Sequence, residues 1–210
     1  NQLAPLVKAA EHDHRFIGGL VDNLLENMKA VLMLPFSVLL EIFPKLVRDL
    51  AREQGKQVDL IIQGGEVEID KRILQEIKDP LLHLVRNSID HGLESSEERR
   101  LKNKPEQGKL YITISQKDSS KVEICVADDG GGIDPEKVKA AAIKKGTISP
   151  EDAADLSPEE ACQLIFRSGL STSPIITTIS GRGVGLAIVQ EKVEKLGGTI
   201  LLEAKPGAGA

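Results

Sequence analysis

The sequence predicts a soluble α/β domain with an aliphatic core, preceded by a helical appendage. Three observations carry that expectation. Hydrophobic residues make up 40% of the 210-residue chain and charged ones 28%, the balance of a globular protein with enough length for one substantial core. Segments with apolar residues every three or four positions are interleaved with short runs of strict alternation, which are the signatures of helices and of strands. No run is long and apolar enough to cross a bilayer, and no signal peptide opens the chain. Aromatic residues are only 2%, Trp is absent and the net charge is −5, which together argue against a nucleic-acid binder. Cys125 and Cys162 match neither a metal-ligand nor a disulfide pattern and read as two buried thiols in a reducing compartment. A start without Met and a Gly-Ala-Gly-Ala end suggest a piece of a larger cytoplasmic protein.

Taken in order, residues 1 to about 33 read as a helix, with Leu3, Leu6, Val7, Phe16, Ile17, Leu20, Leu24, Met28, Val31 and Leu32 at helical steps and a weak point at Gly18-Gly19. Such a stripe is expected to pack on a partner helix, including one from a second copy of the chain. His12 and His14 are two apart, on different sides of that helix, so they read as a solvated face rather than a metal pair. Leu34-Pro35-Phe36 breaks the helix. A second helix is expected over Val38–Gln54, kinked at Pro44 or starting later, with Leu39, Ile42, Phe43, Leu46, Val47 and Leu50 inward. Val58–Ile62 and Val67–Ile69 read as a hairpin around Gly64-Gly65, and Asp70 as the cap of a short helix carrying Ile73, Leu74 and Ile77.

Asp79-Pro80 reads as a new helix start and Gly92 as its stop. On that helix Leu81, Leu84, Val85 and Ser88 share a core side, while His83, Asn87, Asp90 and His91 share the other. A charged, helix-forming stretch follows to about Gly108, then two alternating strands with Leu110, Ile112 and Ile114 and, after a Ser119-Ser120 turn, Val122, Ile124 and Val126. The second strand runs into Asp128-Asp129-Gly130-Gly131-Gly132, and Asp134-Pro135 starts a helix to Lys145. Residues 146 to about 180 read as a surface segment with one short helix, Pro158–Phe166. Gly181-x-Gly183-x-Gly185 opens the last helix, Leu186–Leu196, and Thr199–Glu203 reads as a closing strand.

Two glycine-rich turns, a carboxylate at a strand end and an Asn/His helix face are what a nucleotide pocket needs. Glycines let backbone approach a ligand, and the turn at 181–185 lies at a helix N-terminus, where free N–H groups favour phosphate. Asp128 can accept from an exocyclic amine such as adenine N6, and the Asn87 oxygen suits Mg²⁺ bridging phosphates. Neither a Rossmann nor a Walker pattern is present.

In this order the motifs resemble the chemotaxis-type histidine kinases, the CheA family. HLVRNSIDHG is similar to that family's N box, VADDGGGID to its first glycine box, FRSGLSTS to its F box and SGRGVGLAIV to its second glycine box. LPFSVLLEIFPKLVRDLA resembles the start of its kinase domain, so 34–210 is the expected catalytic ATP-binding domain and 1–33 the expected remnant of a dimerisation domain. The resemblance implies an α+β two-layer sandwich with a mixed sheet backed by helices, the Bergerat fold shared with gyrase and a heat-shock chaperone. It implies ATP and Mg²⁺ as cofactors, with Asn87 on the metal, His83 in a catalytic role, and His91 facing the phosphates. Asp128 takes the adenine amine, Gly130 and Gly132 shape its turn, Gly181, Gly183 and Gly185 hold phosphates, and Ser171 or Thr172 senses the γ-phosphate from a lid at 166–173. Leu170, Gly131, the LAIV ending and Ala210 depart from the family's usual residues. The implied activity is transfer of the γ-phosphate to a histidine on a separate phosphotransfer domain, feeding a response regulator, with a coupling protein and receptor as possible partners of a dimeric parent. An ATPase switch of gyrase type and a degenerate scaffold are the alternatives.

Overall fold

The structure is a computed structural model and describes residues 13–21, 23–24, 32–118, 121–166 and 185–210. Its centre is a three-stranded mixed sheet of β2 (Val58–Gln63), β4 (Gly108–Gln116) and β5 (Val122–Asp128). β2 and β4 run parallel with Leu60 opposite Leu110, and β4 and β5 antiparallel with Leu110 opposite Asp128. The alternation predicted for β4 is present: Leu110, Ile112 and Ile114 are buried, while Tyr111, Thr113 and Ser115 on the other face are half-buried.

The expected hairpin around Gly64-Gly65 does not form. β2 pairs with β4, and β3 (Glu68–Asp70) pairs instead with β1 (Met33–Pro35), Leu34 opposite Ile69. Gly64 shows why the chain leaves its own sheet there. Its φ is +78°, and a Cβ at this position would stand 1.8 Å from the Ile114 carbonyl oxygen, so the turn lies flush on β4. Local turn chemistry was compatible with either path, and the long-range partner decided.

Helices cover one face of the sheet. After a short turn α1 (Ser37–Leu40), α2 (Phe43–Glu53) starts with Pro44 in its first turn, where a missing N–H costs nothing. α3 (Lys71–Asn87) is capped by the Asp70 carboxylate, which accepts from Arg72 N at 2.7 Å. α3 runs unbroken through Pro80, so Asp79-Pro80 is not a helix start; the predicted short helix and the motif helix are one element. Phe36, Phe43, Val47 and Leu50 meet Leu74, Ile77, Leu81, Val85 and Ile89 over Leu110 and Ile112. Burial of each such side chain stabilises by about 1.5–3 kcal/mol, which is why Pro80 is tolerated in so well-packed a helix.

α4 (Ser96–Leu101) lies in the charged stretch before β4. α5 (Pro135–Lys144), α6 (Pro150–Asp155) and α7 (Pro158–Gln163) enclose a smaller cluster of Val138, Ala142 and Leu164. α6 was not predicted, although the Ser149–Asp152 capping box announces it. α8 (Gly185–Lys195) buries Val189 and lays Val193 on the main core.

Two further expectations are corrected. Thr199–Glu203 joins no ladder, and Leu201 is 86% exposed, because an apolar run without a paired neighbour has no strand to complete. Cys125 is exposed, since it occupies an outward position of β5; Cys162 is buried as expected. Residues 13–21 are helical as expected, and Phe16, Ile17, Leu20 and Val21 are exposed on the single chain. His14 is exposed on that helix, whereas His12 lies outside the described residues.

Candidate functional site

The last turn of α3 is where local sequence becomes a site. After Asn87 the helix widens into a π-helical turn, Ser88–Gly92, closed by Leu93 N donating to Ser88 O at 2.7 Å. The extra residue shifts the angular order of the side chains. His83 and Asn87 remain half-buried, His91 is exposed, and Ser88, read as a core position, turns its hydroxyl to the Asp128 carboxylate. The turn is anchored from α2: Gln54 donates to the Asp90 carboxylate, while Lys56 Nζ donates to Ile89 O at 2.5 Å and Asp90 O at 3.2 Å. An ammonium on terminal helix carbonyls is favoured by the macrodipole. Burial pulls the Lys56 ammonium below its ordinary range, against the raising effect of Asp90.

Burial also pulls the His83 imidazole below its usual value, helped by the Arg86 charge and opposed by Asp90, so His83 is neutral at neutral pH.

Asp128 ends β5 and is only 9% exposed. Burial pushes its carboxyl above the usual range, although the Gly130 N–H at 3.0 Å, the Ser88 hydroxyl and the Ala210 backbone all favour the charged form. Two glycines make this position possible. A Cβ on Gly92 would stand 2.6 Å from Asp128 Oδ2, and one on Gly130 would stand 2.0 Å from Gly92 O, so helix end and strand end touch through bare backbone. Gly131 N donates to Gly92 O at 2.8 Å across the same contact. Gly132 has φ +68°, with a Cβ site 2.1 Å from Lys205 O.

The segment 205–210 closes this turn, a contact between segments distant in the sequence. Gly207 N donates to Gly131 O at 2.7 Å, and Asp128 N to Ala210 O at 2.8 Å. The signal for it was Lys205-Pro206-Gly207-Ala208-Gly209, a turn composition next to the glycine box only in space.

His83, Asn87, His91, Asp128, Gly132 and Ala210 line one cleft of about 2470 Å³, together with Leu186 and Ala187 of α8. This exceeds the several hundred Å³ usual for a ligand pocket, because it continues past the site along β5 to Lys121. Gly130 stands behind Asp128 rather than in the lining. Gly185 begins α8. Ser171, Thr172, Gly181 and Gly183 lie outside the described residues, so their expected place by the phosphates stays an expectation. Among the described residues no three His, Cys, Asp or Glu side chains form a metal cage.

Residues 76–210 match the family of histidine kinase-, DNA gyrase B- and HSP90-like ATPases. The chain belongs to this ATPase family. Its segment is CheA-like: it is 47% identical over 177 residues to the sensor histidine kinase CheAY of Helicobacter pylori, covering 84% of this chain and 22% of that protein. It is 42% identical over 184 residues to the chemotaxis protein CheA of Treponema pallidum, covering 88% of this chain and 22% of that one. The gliding motility regulatory protein of Myxococcus xanthus is similar at 41% over 192 residues, 91% of this chain and 25% of that protein. The chain thus spans about a quarter of the length of these relatives. The matched residues include β4, β5, most of α3 and the cleft between α3 and the β5 exit. No helix among the described residues is long and apolar enough to cross a membrane.

Proposed function

We propose that this domain transfers the γ-phosphate of Mg-ATP to a histidine on a separate phosphotransfer domain, within a cytoplasmic, dimeric chemotaxis-type kinase. The observation that carries the reading is the shared cleft: the Asn87 amide, the His83 imidazole and the buried Asp128 carboxylate all line it, in a CheA-like ATPase domain.

Each residue's role follows from its chemistry. Asp128 accepts from the exocyclic amine of adenine, its position held by Gly130 and by the Ser88 hydroxyl. Asn87 offers one neutral oxygen to Mg²⁺. That donor set fits a magnesium ion carried by the nucleotide, which draws its other ligands from phosphates and water and needs no protein cage. Bound there, the ion would neutralise charge on the phosphates. His83, neutral because it is partly buried, orients or deprotonates the attacking imidazole of the acceptor. His91, exposed on the π-turn, faces the phosphate end, and Gly181, Gly183 and Gly185 supply backbone N–H groups at the α8 N-terminus. Ser171 or Thr172 contacts the γ-phosphate from the lid. In phosphoryl transfer most of the protein's contribution is positioning and charge stabilisation.

The exposed stripe of Phe16, Ile17, Leu20 and Leu24 fits a second copy in the parent protein. A response regulator would take the phosphate from the phosphotransfer domain, with a coupling protein and receptor upstream.

The test uses the chain with an isolated acceptor domain and γ-labelled ATP. Label on the acceptor histidine, lost on His83→Gln while nucleotide binding persists, is the expected result. ATP binding without any label transfer would leave a binding module in place of a kinase.

A further inference from the structure

Behind the glycine turn lies a charged cluster with no part in the roles above; Glu94 and Lys102 reach the cleft lining, while Arg99, Lys104 and Asp129 stand behind it. Arg99 is 0% exposed. Its guanidinium grips the Asp129 carboxylate through two parallel bonds of 3.0 and 2.9 Å, reaches Glu94 at 3.2 Å and donates to Pro105 O at 2.6 Å. Lys104 Nζ donates to Gly130 O at 2.6 Å, to Asp129 O at 3.0 Å and to Glu94 at 3.1 Å. Burial alone would raise the Glu94 carboxyl, but hydrogen bonds from Lys104 and Lys102 hold it below the usual carboxylate range.

The sequence brings Lys104 back to the turn by a helix stop. Asn103 follows α4 at φ +56°, Lys104 N donates to Arg99 O at 2.9 Å and Asn103 N to Arg100 O at 3.1 Å, the paired bonds of a Schellman ending. Lys102, two residues earlier, reaches Glu94 at the same 3.1 Å, but the bonds that distinguish Lys104 are those to the two turn carbonyls.

We propose that Lys104, backed by Arg99, is a positioning residue for base recognition: by fixing the carbonyls of Asp129 and Gly130 it fixes the Gly130 N–H that holds Asp128 Oδ1, and so the aim of that carboxylate at the purine amine. The proposal rests on the reading of Asp128 given above. A carboxylate held rigidly separates adenine, which presents an amine, from hypoxanthine, which presents a carbonyl; a carboxylate free to swing separates them less.

The test measures dissociation constants of Mg-ATP and Mg-ITP by calorimetry for the wild-type chain, Lys104→Met and Lys102→Met, with thermal unfolding of each. Lys104 is partly exposed, so its loss leaves a folded chain more safely than loss of Arg99. The wild type is expected to prefer ATP. Lys104→Met is expected to cut that preference roughly three- to tenfold, the scale at which a residue without ligand contact shifts a coupling, with ITP affinity kept. Lys102→Met is expected to leave the preference intact. Equal weakening of both nucleotides by Lys104→Met, an unchanged preference, or an equal drop in Lys102→Met would each overturn the proposal. A wild-type chain that binds ATP and ITP alike would overturn the Asp128 reading itself, an outcome read before any variant is compared.

Discussion

The two walls of the cleft are built on different principles. The α3 wall is local: His83 and Asn87 lie one turn apart on α3 and His91 follows on the π-turn that continues it, and their side chains stay half-buried or exposed. The glycine-turn wall is assembled from distance: Asp128 meets Ser88, Gly92 and Ala210, while Asp129 is held by Arg99 from another helix. The first wall presents groups to a ligand, and the second is over-determined by its own chain. The difference teaches that reach and rigidity are divided between them: reactive groups sit where they can adjust, and the group proposed to read the base sits where it cannot.

Several changes can break or sharpen that contrast. The largest effect is expected on the rigid side. Arg99→Met removes the buried guanidinium that pairs with the half-buried Asp129 carboxylate, while Glu94 keeps Lys102 and Lys104, and unfolding in urea should show a loss of about 3 kcal/mol. Gly130→Ala forces a methyl onto the Gly92 carbonyl, so the same measurement should show a loss of about 1–3 kcal/mol, with adenine affinity falling alongside.

On the local side, stability should hardly move while binding does. Asn87→Ala, half-buried at the end of α3, is expected to weaken Mg-ATP binding about tenfold or more, a loss of about 1.4 kcal/mol, with magnesium-free nucleotide affected less. An equal effect with and without magnesium would remove Asn87 from the metal.

Acidity separates the walls without a mutation. A protonated Asp128 is a weaker acceptor for an amine and gains an O–H that can donate to a carbonyl, and burial raises its proton affinity, so the preference for ATP over ITP should begin to fail at a pH above the ordinary carboxylate range as pH is lowered. His83 is shifted the other way. Its neutral form should persist to lower pH than an ordinary imidazole, placing the acid limb of the transfer rate below the usual histidine value. The smallest effect is expected at the exposed Lys102, where Lys102→Met should change stability by under about 1 kcal/mol.

How much of this was legible beforehand depends on the range of the forces involved. The helices around Phe43, Val47, Leu81 and Val85 were legible because burial imposes a helical period on nearby residues. Asn87 and Asp128 were legible because residue type and element end are local properties. Pro80 misled, since packing on both sides of it outweighs its missing hydrogen bond. Arg99 and Lys104 read only as part of a charged, helix-forming stretch, because nothing within ten residues of them reveals Asp129, which lies thirty positions from Arg99. Ser88 was assigned to the core because the π-turn that redirects it leaves no trace in a 3.6-residue period.

By itself, then, the sequence determined the aliphatic helices, the two alternating strands of the antiparallel pair, and the kinds of chemical group a nucleotide site requires. Those depend on periodicity and side-chain type, which act over a few residues. Only the tertiary structure decided that β2 pairs with β4 and not with β3, that residues 205–210 close the glycine turn, and that a buried guanidinium stands behind Asp128. Each of these is a choice among long-range partners, made by the burial and hydrogen bonding of the whole chain at once.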